Sequence, residues 1–360
     1  MTAAGITPRD MRGAKPERLA ALTRLRAFLI AWVLVYHLEL ALRALVGLPV
    51  AEAVALKGYL GVDGFFVLSG FALFLGYRHS VPVGLAGYAG FVRRRAERLF
   101  PLHLAALGAL VLLVGAAMLA GLRVNEPQRF GAYELLMQAL LLHGWETTSQ
   151  HAWNYPSWAL SAIWAGTLAF PLLLPLLTTR GAPACWAVVV AAMAGLGWLG
   201  ALADDAQLNR TLHLGLVRFG LEFVLGLALA RLVTLRAVPG GVAAVAVLLV
   251  PLGIWAGQDV VAVAGLAALV ARLGMEAPGA TPPRDLAWKL GEASFGIYLA
   301  WVFVEAALVV LLRVAEPGQA ARIALMAGGL VASGALGWLA WRFVEVPAAR
   351  LLAPPRRLNA

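Results

Sequence analysis

Hydrophobic residues are arranged along this chain in ten long stretches that are separated by shorter polar segments. Stretches of this kind can cross the hydrocarbon core of a bilayer as helices. The predicted spans are 27–46, 58–77, 99–120, 158–178, 184–203, 212–233, 239–256, 259–274, 293–313 and 322–344. The pattern therefore predicts an all-α, polytopic integral membrane protein with about ten transmembrane helices in one bundle.

The segment 130–143 is also apolar, but it is short and polar at its ends, so we interpret it as interfacial or re-entrant. With ten spans and a cytoplasmic N-terminus, 20 of the 29 Lys and Arg residues fall in cytoplasmic segments, 7 in external segments and 2 inside spans. This asymmetry is typical of membrane proteins, whose basic loops stay in the cytoplasm. The sequence predicts a basic tail over 1–20, one transmembrane domain over 21–346 and a short tail over 347–360, with both tails cytoplasmic.

Composition supports this interpretation and excludes several other classes of protein. The chain is 61% hydrophobic and 13% charged, whereas soluble domains are about half apolar. Its net charge of +10 is explained by the basic loops, so we expect no nucleic-acid partner. The one cysteine, Cys185, lies in an apolar stretch, which rules out an intrachain disulfide. His143 and His151 lack metal-ligand spacing, and we expect exposed loop histidines, no metal and no bound cofactor.

The first span contains a histidine and begins with an arginine, in "RLRAFLIAWVLVYHLEL". Arg26 and His37 are eleven residues apart, which places them on one helical face and about 16 Å apart along the axis. An imidazole near the middle of the membrane can accept or deliver a proton. A structural alternative stays open, in which His37 binds a carbonyl group and Arg26 anchors the helix at the interface.

Asp63 lies in the outer part of the second span, at a depth similar to that of His37. A carboxylate at that depth needs a partner or water, because an ionised group in hydrocarbon is costly. We expect Asp63 to orient the imidazole of His37, as carboxylates do in other sites. A polar contact with water at the outer interface is the alternative.

A cluster of four arginines follows the second span, at Arg93, Arg94, Arg95 and Arg98, and Pro101 then begins the next span. Guanidinium groups bind phosphate with two parallel hydrogen bonds, so the cluster fits an anion site on the cytoplasmic face. Such clusters also commonly serve only to keep a loop inside the cell.

Taken together, these pieces resemble the membrane acyltransferase-3 family of bacterial proteins, which acylate glycans and other envelope molecules. The resemblance covers most of the chain. Its motifs are the Arg26–His37 spacing, "GVDGFFVLSGF" at 61–71, "RRRAERLFP" at 93–101, "WALSAIW" at 158–164, "SFGIYLAW" at 294–301 and "RFVEVP" at 342–347. The chain departs from the family pattern at Ala159 and Ile163, where Ser and Glu are usual, at Trp301, which often is His, and at His103, which commonly is Tyr.

The resemblance implies a membrane O-acyltransferase in the bacterial inner membrane that takes an acyl group, expected to be acetyl, from cytosolic acyl-CoA. Arg95 and Arg98 would then bind the phosphates of CoA, with Arg26 near the entrance. His37 would act as general base toward a hydroxyl group of a sugar or lipid-linked glycan. Acyl-CoA would be a co-substrate.

Further polar residues in the spans could form an acceptor cavity. Arg218 and Glu222 are four residues apart on one helix and can also satisfy each other as a structural pair. Glu305 has no partner nearby in sequence and should face a cavity or another helix. Trp158 and Tyr298, which lie in two of the family motifs, complete the predicted acceptor residues.

The altered motif positions leave a second hypothesis open, in which the chain is a non-catalytic relative that transports or flips a glycolipid or a small anion. The Arg26–His37 spacing above the arginine cluster favours the enzyme. We also find no inverted repeat, which many transporters contain.

Overall fold

The computed structural model describes residues 20–122, 124, 126–202, 207–276 and 285–352, and these residues form no β-strand. The helices are α1 (Ala20–Leu42), α2 (Pro49–Leu56), α3 (Leu60–Tyr77), α4 (Gly84–Leu119), α5 (Ala132–Ala139), α6 (Trp158–Thr178), α7 (Ala182–Ala201), α8 (Gly215–Thr234), α9 (Val242–Ala256), α10 (Asp259–Gly274), α11 (Leu286–Glu292), α12 (Ser294–Val314), α13 (Gln319–Ala340) and α14 (Val346–Leu351). Short helical turns cover Pro127–Phe130, His143–Thr147, Tyr155–Ser157 and Trp341–Glu345. Most of the predicted tails, 1–19 and 353–360, lies outside the described residues.

The all-α, multi-pass description is confirmed, but the count of ten spans is not. All ten predicted segments coincide with helices, yet seven helices in the described part of the chain are long and apolar enough to cross a membrane. These are α1, α3, α4, α6, α7, α12 and α13. Helices α9 and α10 have 15 and 16 residues, about 22 to 24 Å, which is shorter than a hydrocarbon core of about 30 Å. Helix α8 is also not among the seven, because it contains the charged residues Arg218, Glu222 and Arg231.

Two segments between spans show how well the pattern predicted local structure. The segment 130–143 contains the short helix α5 and is not among the spans, in agreement with the interfacial interpretation. Residues 84–98 were expected to be a loop, but they form the first turns of α4. Pro101 consequently lies inside α4 instead of at the start of a span. The alanines and arginines of this segment have good helix propensity, and Arg93 pairs with Glu97 one turn away.

One bundle contains the functional residues. Its main hydrophobic cluster draws side chains from α1, α3, α4, α6, α7, α8, α10 and α12. Helices α3 and α8 touch closely, because Gly70 faces the carbonyl group of Phe223 and Gly226 faces that of Val67. A Cβ atom at either glycine would lie 2.0 Å from the opposing oxygen. Small residues at helix interfaces allow this close approach in membranes.

Candidate active site

A cavity of about 420 Å³ lies between α1, α3, α4, α6 and α12, and the turn Trp341–Glu345 also borders it. Its polar lining includes the three predicted donor-site residues Arg26, Arg95 and Arg98. Glu345 is the one carboxylate among the described residues that line it. The remaining lining residues are mostly apolar side chains of α3, α4 and α6. The cavity thus combines a cationic end with apolar walls, which suits a ligand with an anionic head and a less polar arm.

The arginine cluster divides between the cavity and the surface of the protein. Arg95 and Arg98 are three residues apart on α4 and both line the cavity. Arg93 and Arg94 are exposed, and Arg93 forms an ion pair with Glu97 at 3.3 Å. The buried Nε of Arg95 has no hydrogen-bond partner among the described residues. Two of the four guanidinium groups therefore remain available to an anion inside the cavity.

Arg26 joins the cavity to the last part of the bundle. Its Nε donates a hydrogen bond of 3.1 Å to the Oγ of Ser294, at the start of α12. Arg26 is also in electrostatic range of Arg98 and Glu345, which line the same cavity. Arg26 therefore shares the cavity with Arg95 and Arg98, and its role toward acyl-CoA stays a prediction.

His37 lies on the same face of α1 as Arg26, as the spacing predicted. Val33, one helical turn before His37, lines the cavity, whereas His37 itself is not among the described lining residues. The imidazole instead stacks on the indole of Trp301, with ring centroids 4.3 Å apart and planes inclined by 29°. Tyr36 and Tyr155 contact it edge-on, at centroid distances of 4.9 and 6.0 Å. His37 therefore lies in an aromatic cluster, one helical turn beyond the cavity-lining Val33.

The expectation that Asp63 orients His37 is wrong. Both carboxylate oxygens of Asp63 accept hydrogen bonds from Arg218, at 2.9 Å from Nε and 2.5 Å from Nη2. No hydrogen bond between Asp63 and His37 occurs in the described part of the chain. Asp63 and Arg218 are completely buried, so the guanidinium supplies the partner that a carboxylate at this depth requires.

Arg218 and Glu222 do not line an acceptor cavity. Neither side chain is exposed, and the Oε1 of Glu222 lies 3.7 Å from the Nε of Arg218. Trp158 covers the guanidinium from one side, and the centroid of its ring lies 5.8 Å from the Cζ of Arg218. Asp63, Arg218 and Glu222 thus form a buried charge cluster, which confirms the structural pair that the spacing allowed and adds Asp63 to it.

The two other predicted acceptor residues lie on different sides of the aromatic cluster. Tyr298 lines the arginine-containing cavity, and its hydroxyl group donates to the carbonyl oxygen of Pro156. Glu305 accepts hydrogen bonds of 2.9 and 3.2 Å from the hydroxyl group of Tyr155. Since Tyr155 also contacts His37, Tyr155 links Glu305 to the imidazole.

The segment between α5 and α6 is better packed than its sequence suggested. His143 and His151 were expected to be exposed, but His143 is buried and His151 is half-buried. The Nε2 of His143 lies 3.1 Å from the Oγ of Ser157, and that of His151 lies 3.0 Å from the Oγ1 of Thr211. Burial lowers the pKa of the His143 imidazole to about 3 and also lowers that of His151. Within the described residues, no group of three potential ligands could hold a metal ion.

Sequence reasoning missed two residues of the aromatic cluster as site residues. Trp301 drew attention only as a departure from the family motif, although it follows Tyr298 by three residues on the same helix. Tyr155 lies in a short turn before α6, where no helical periodicity links it to His37. Ser294 could have been found, because it is four residues before Tyr298 on one face of α12.

Comparison with known proteins agrees with the motifs. A family model described as an acyltransferase domain matches residues 19–342. The chain is also similar to the acyltransferase MdmB of Streptomyces mycarofaciens, with 32% identity over 163 residues. That match covers 43% of this chain and 39% of the relative, so the chain spans about two fifths of that relative's length. No solved structure matches the chain.

Proposed function

Because the chain belongs to the acyltransferase-3 family, whose domain model spans nearly all of it, we propose that it is a membrane O-acyltransferase that uses acyl-CoA as donor. The observation that carries the proposal is the position of His37, one helical turn beyond Val33, which lines the same cavity as three arginines. A base adjoining a cationic cavity fits a donor that has an anionic head and a reactive thioester at its other end.

The donor would enter the cavity with its phosphates toward Arg95 and Arg98. Guanidinium groups form charge-assisted hydrogen bonds with phosphate, and the buried Nε of Arg95 still lacks an acceptor among the described residues. Arg26 adds a third positive charge at the same end. The volume of about 420 Å³ lies within the range of ligand pockets, about 300–1,000 Å³. The pantetheine arm would follow the apolar wall toward Val33.

The acceptor hydroxyl group would approach His37 from the other side, past Tyr155 and Glu305. Aromatic rings and a carboxylate are suited to a sugar, which offers apolar ring faces and hydroxyl donors. His37 would remove the hydroxyl proton as the oxygen attacks the thioester carbon. We propose a sugar or a lipid-linked glycan as acceptor and an acetyl group as the acyl group.

In the bilayer, we propose that the arginine end of the cavity faces the cytoplasm, where acyl-CoA is made. The basic residues between the spans support this orientation, with the N- and C-termini inside. The membrane would be the bacterial plasma membrane.

The proposal is tested with purified protein, labelled acetyl-CoA and an extract of envelope glycans. The wild-type protein should transfer label to a glycan and release free CoA. The His37→Gln variant keeps a polar side chain that cannot act as a base, so transfer should fall by a factor of about 10² to 10⁴ while binding of acetyl-CoA persists. His213→Gln, which changes an exposed histidine, is the matched control. A transfer rate of His37→Gln equal to that of the wild type would exclude the catalytic role.

A further inference from the structure

Trp301 contains a buried hydrogen-bond donor for which the described part of the chain provides no acceptor. Its side chain is 1% exposed, and its Nε1 has no hydrogen-bond partner among those residues. Buried indole N–H groups usually find a partner, because an unmade hydrogen bond costs stability. Even the half-buried indoles of Trp32, Trp145 and Trp153 in this protein have partners, each donating to a backbone carbonyl group. The exception lies directly beside His37.

The packing around Trp301 fixes the plane in which this donor lies. One face of the indole stacks on the imidazole of His37 at 4.3 Å, and Tyr155 meets the indole edge-on at 5.8 Å and 87°. The N–H bond lies in the plane of the indole ring, so it makes an angle of at most 29° with the plane of the imidazole. A group that binds the edge of the imidazole therefore comes close to the plane of the stacked indole ring, which contains the N–H donor.

We propose that the indole N–H of Trp301 donates a hydrogen bond to the oxyanion that forms during acyl transfer, an assignment that rests on the proposed function. The acceptor oxygen attacks the thioester carbon, His37 takes the hydroxyl proton, and the carbonyl π electrons move to the carbonyl oxygen. The C=O bond then re-forms, the C–S bond breaks, and the leaving thiolate receives the proton from His37. No atom or electron is gained from outside.

The geometry of the intermediate explains how the indole N–H can bind the oxyanion while His37 binds the attacking oxygen. The attacking oxygen and the oxyanion are bonded to the same carbon. With the attacking oxygen at the edge of the imidazole, the oxyanion can point toward the stacked indole layer. A donor fixed in advance acts on the transition state without rearrangement, which is how oxyanion sites accelerate acyl transfer. The structure thus assigns Trp301 a catalytic role and not only a packing role.

The test removes the N–H group and keeps the aromatic surface. Trp301→Phe retains a stacking ring, and replacement of Trp301 by β-(3-benzothienyl)alanine retains the bicyclic shape with sulfur in place of N–H. Acetyl-CoA and the glycan extract serve as substrates. We expect kcat to fall about 100-fold or more in both variants, as happens when one oxyanion donor is removed. The KM for acetyl-CoA and the pH profile of kcat/KM should stay unchanged, because His37 keeps its stacking partner.

Trp32→Phe is the matched control, since it also removes an indole donor, here from a half-buried tryptophan of α1, but lies away from the imidazole. A benzothienyl variant with wild-type kcat would overturn the assignment. A shifted pH profile would overturn it as well, because Trp301 would then act only by positioning His37. If the wild-type protein transfers no acetyl group, the proposed function fails and this inference fails with it. An active wild type with an active benzothienyl variant refutes the inference alone.

Discussion

The guanidinium of Arg218 on α8 binds both carboxylate oxygens of Asp63 on α3, 155 residues earlier in the chain, and neither side chain is exposed. Glu222 approaches the same guanidinium at 3.7 Å. Two carboxyl groups thus share one positive charge in the middle of a bundle. Because charges in this environment are costly without a partner, the cluster joins α3 to α8.

The buried charge cluster predicts how strongly three conservative substitutions lower the stability of the protein. Arg218→Gln should destabilise most, by about 3–5 kcal/mol, because it leaves two buried carboxyl groups without a cation. Asp63→Asn should cost less, since Glu222 can still neutralise Arg218. Glu222→Gln should be mildest, because it leaves the Asp63–Arg218 pair intact. Thermal unfolding of the purified variants in detergent measures this order.

The exposed pair of Arg24 and Asp285 provides the comparison for this series. Its hydrogen bonds lower the pKa of Asp285, with Arg24 as the main cause, but water screens the pair. Arg24→Gln should therefore change the unfolding temperature little. Unfolding of Glu222→Gln at a lower temperature than Arg218→Gln would show that the charge assignment within the cluster is wrong.

Binding of acyl-CoA should depend on Arg95 and Arg98, two of the four arginines in the cluster. Arg95→Ala and Arg98→Ala each remove a cavity-lining guanidinium, and a hydrogen bond to a charged group is worth roughly 1.5–3 kcal/mol. Each change should therefore weaken acetyl-CoA binding about ten- to a hundredfold, as measured by isothermal titration calorimetry. Arg95→Lys should restore binding only in part, because an ammonium group cannot form the paired hydrogen bonds of a guanidinium.

Arg93→Ala and Arg94→Ala are the controls for that experiment, because neither residue lines the cavity. They should bind acetyl-CoA with nearly wild-type affinity. Four equal effects would instead indicate that the cluster acts through its total charge and that the cavity is not the donor site.

The lowered pKa of the buried His143 predicts that the protein loses stability in mild acid. Its pKa is about 3 in the folded protein and about 6.5 in an unfolded chain, so the unfolded state binds the proton first as the pH falls. The free energy of unfolding should therefore decrease below pH 6.5, by about 1.4 kcal/mol per unit from this group, until the pH approaches 3. His143→Gln should flatten the dependence of the unfolding temperature between pH 6.5 and 5. His213→Gln, at an exposed position, should leave the slope unchanged, and parallel curves for wild type and His143→Gln would refute the prediction.

Cysteine labelling tests the orientation that the basic loops predict. Cys185 is buried, and Cys185→Ala provides a background without cysteine. In intact cells, a membrane-impermeant maleimide should label Glu316→Cys, between α12 and α13, and should leave Arg94→Cys unlabelled. Labelling of Arg94→Cys from outside would reverse the topology and remove the cytosolic donor from the mechanism.

Relations within one helix were predictable from the sequence, because helical geometry fixes them. The spacing of Arg26 and His37 gave their common face, and the spacing of Arg218 and Glu222 gave their ion pair. The apolar pattern likewise located every long helix. It did not determine how many of them cross the membrane, because α9 and α10 are short and α8 contains buried charge.

Relations between helices could not be predicted in the same way. Asp63 is at the depth of His37, and depth alone made the two appear to be partners. The pairing depends on which helices are in contact. Helix α3 packs on α8, and there the positively charged Arg218 binds Asp63. Trp301 and Tyr155 reach His37 for the same reason, from segments that are distant in sequence. Such contacts follow from the packing of the whole bundle.

The backbone contact at Gly70 and Gly226 has a consequence for motion. Two helices that touch at their carbonyl groups and share a buried ion pair cannot slide or separate without losing both, so α3 and α8 should move as one rigid body. Any widening of the cavity for a bulky donor must then come from its other walls. One of them is α4, where Pro101 interrupts the helical hydrogen bonds three residues beyond Arg98. We expect α4 to bend there as the donor enters, which would make the arginine-bearing end the gate of the cavity.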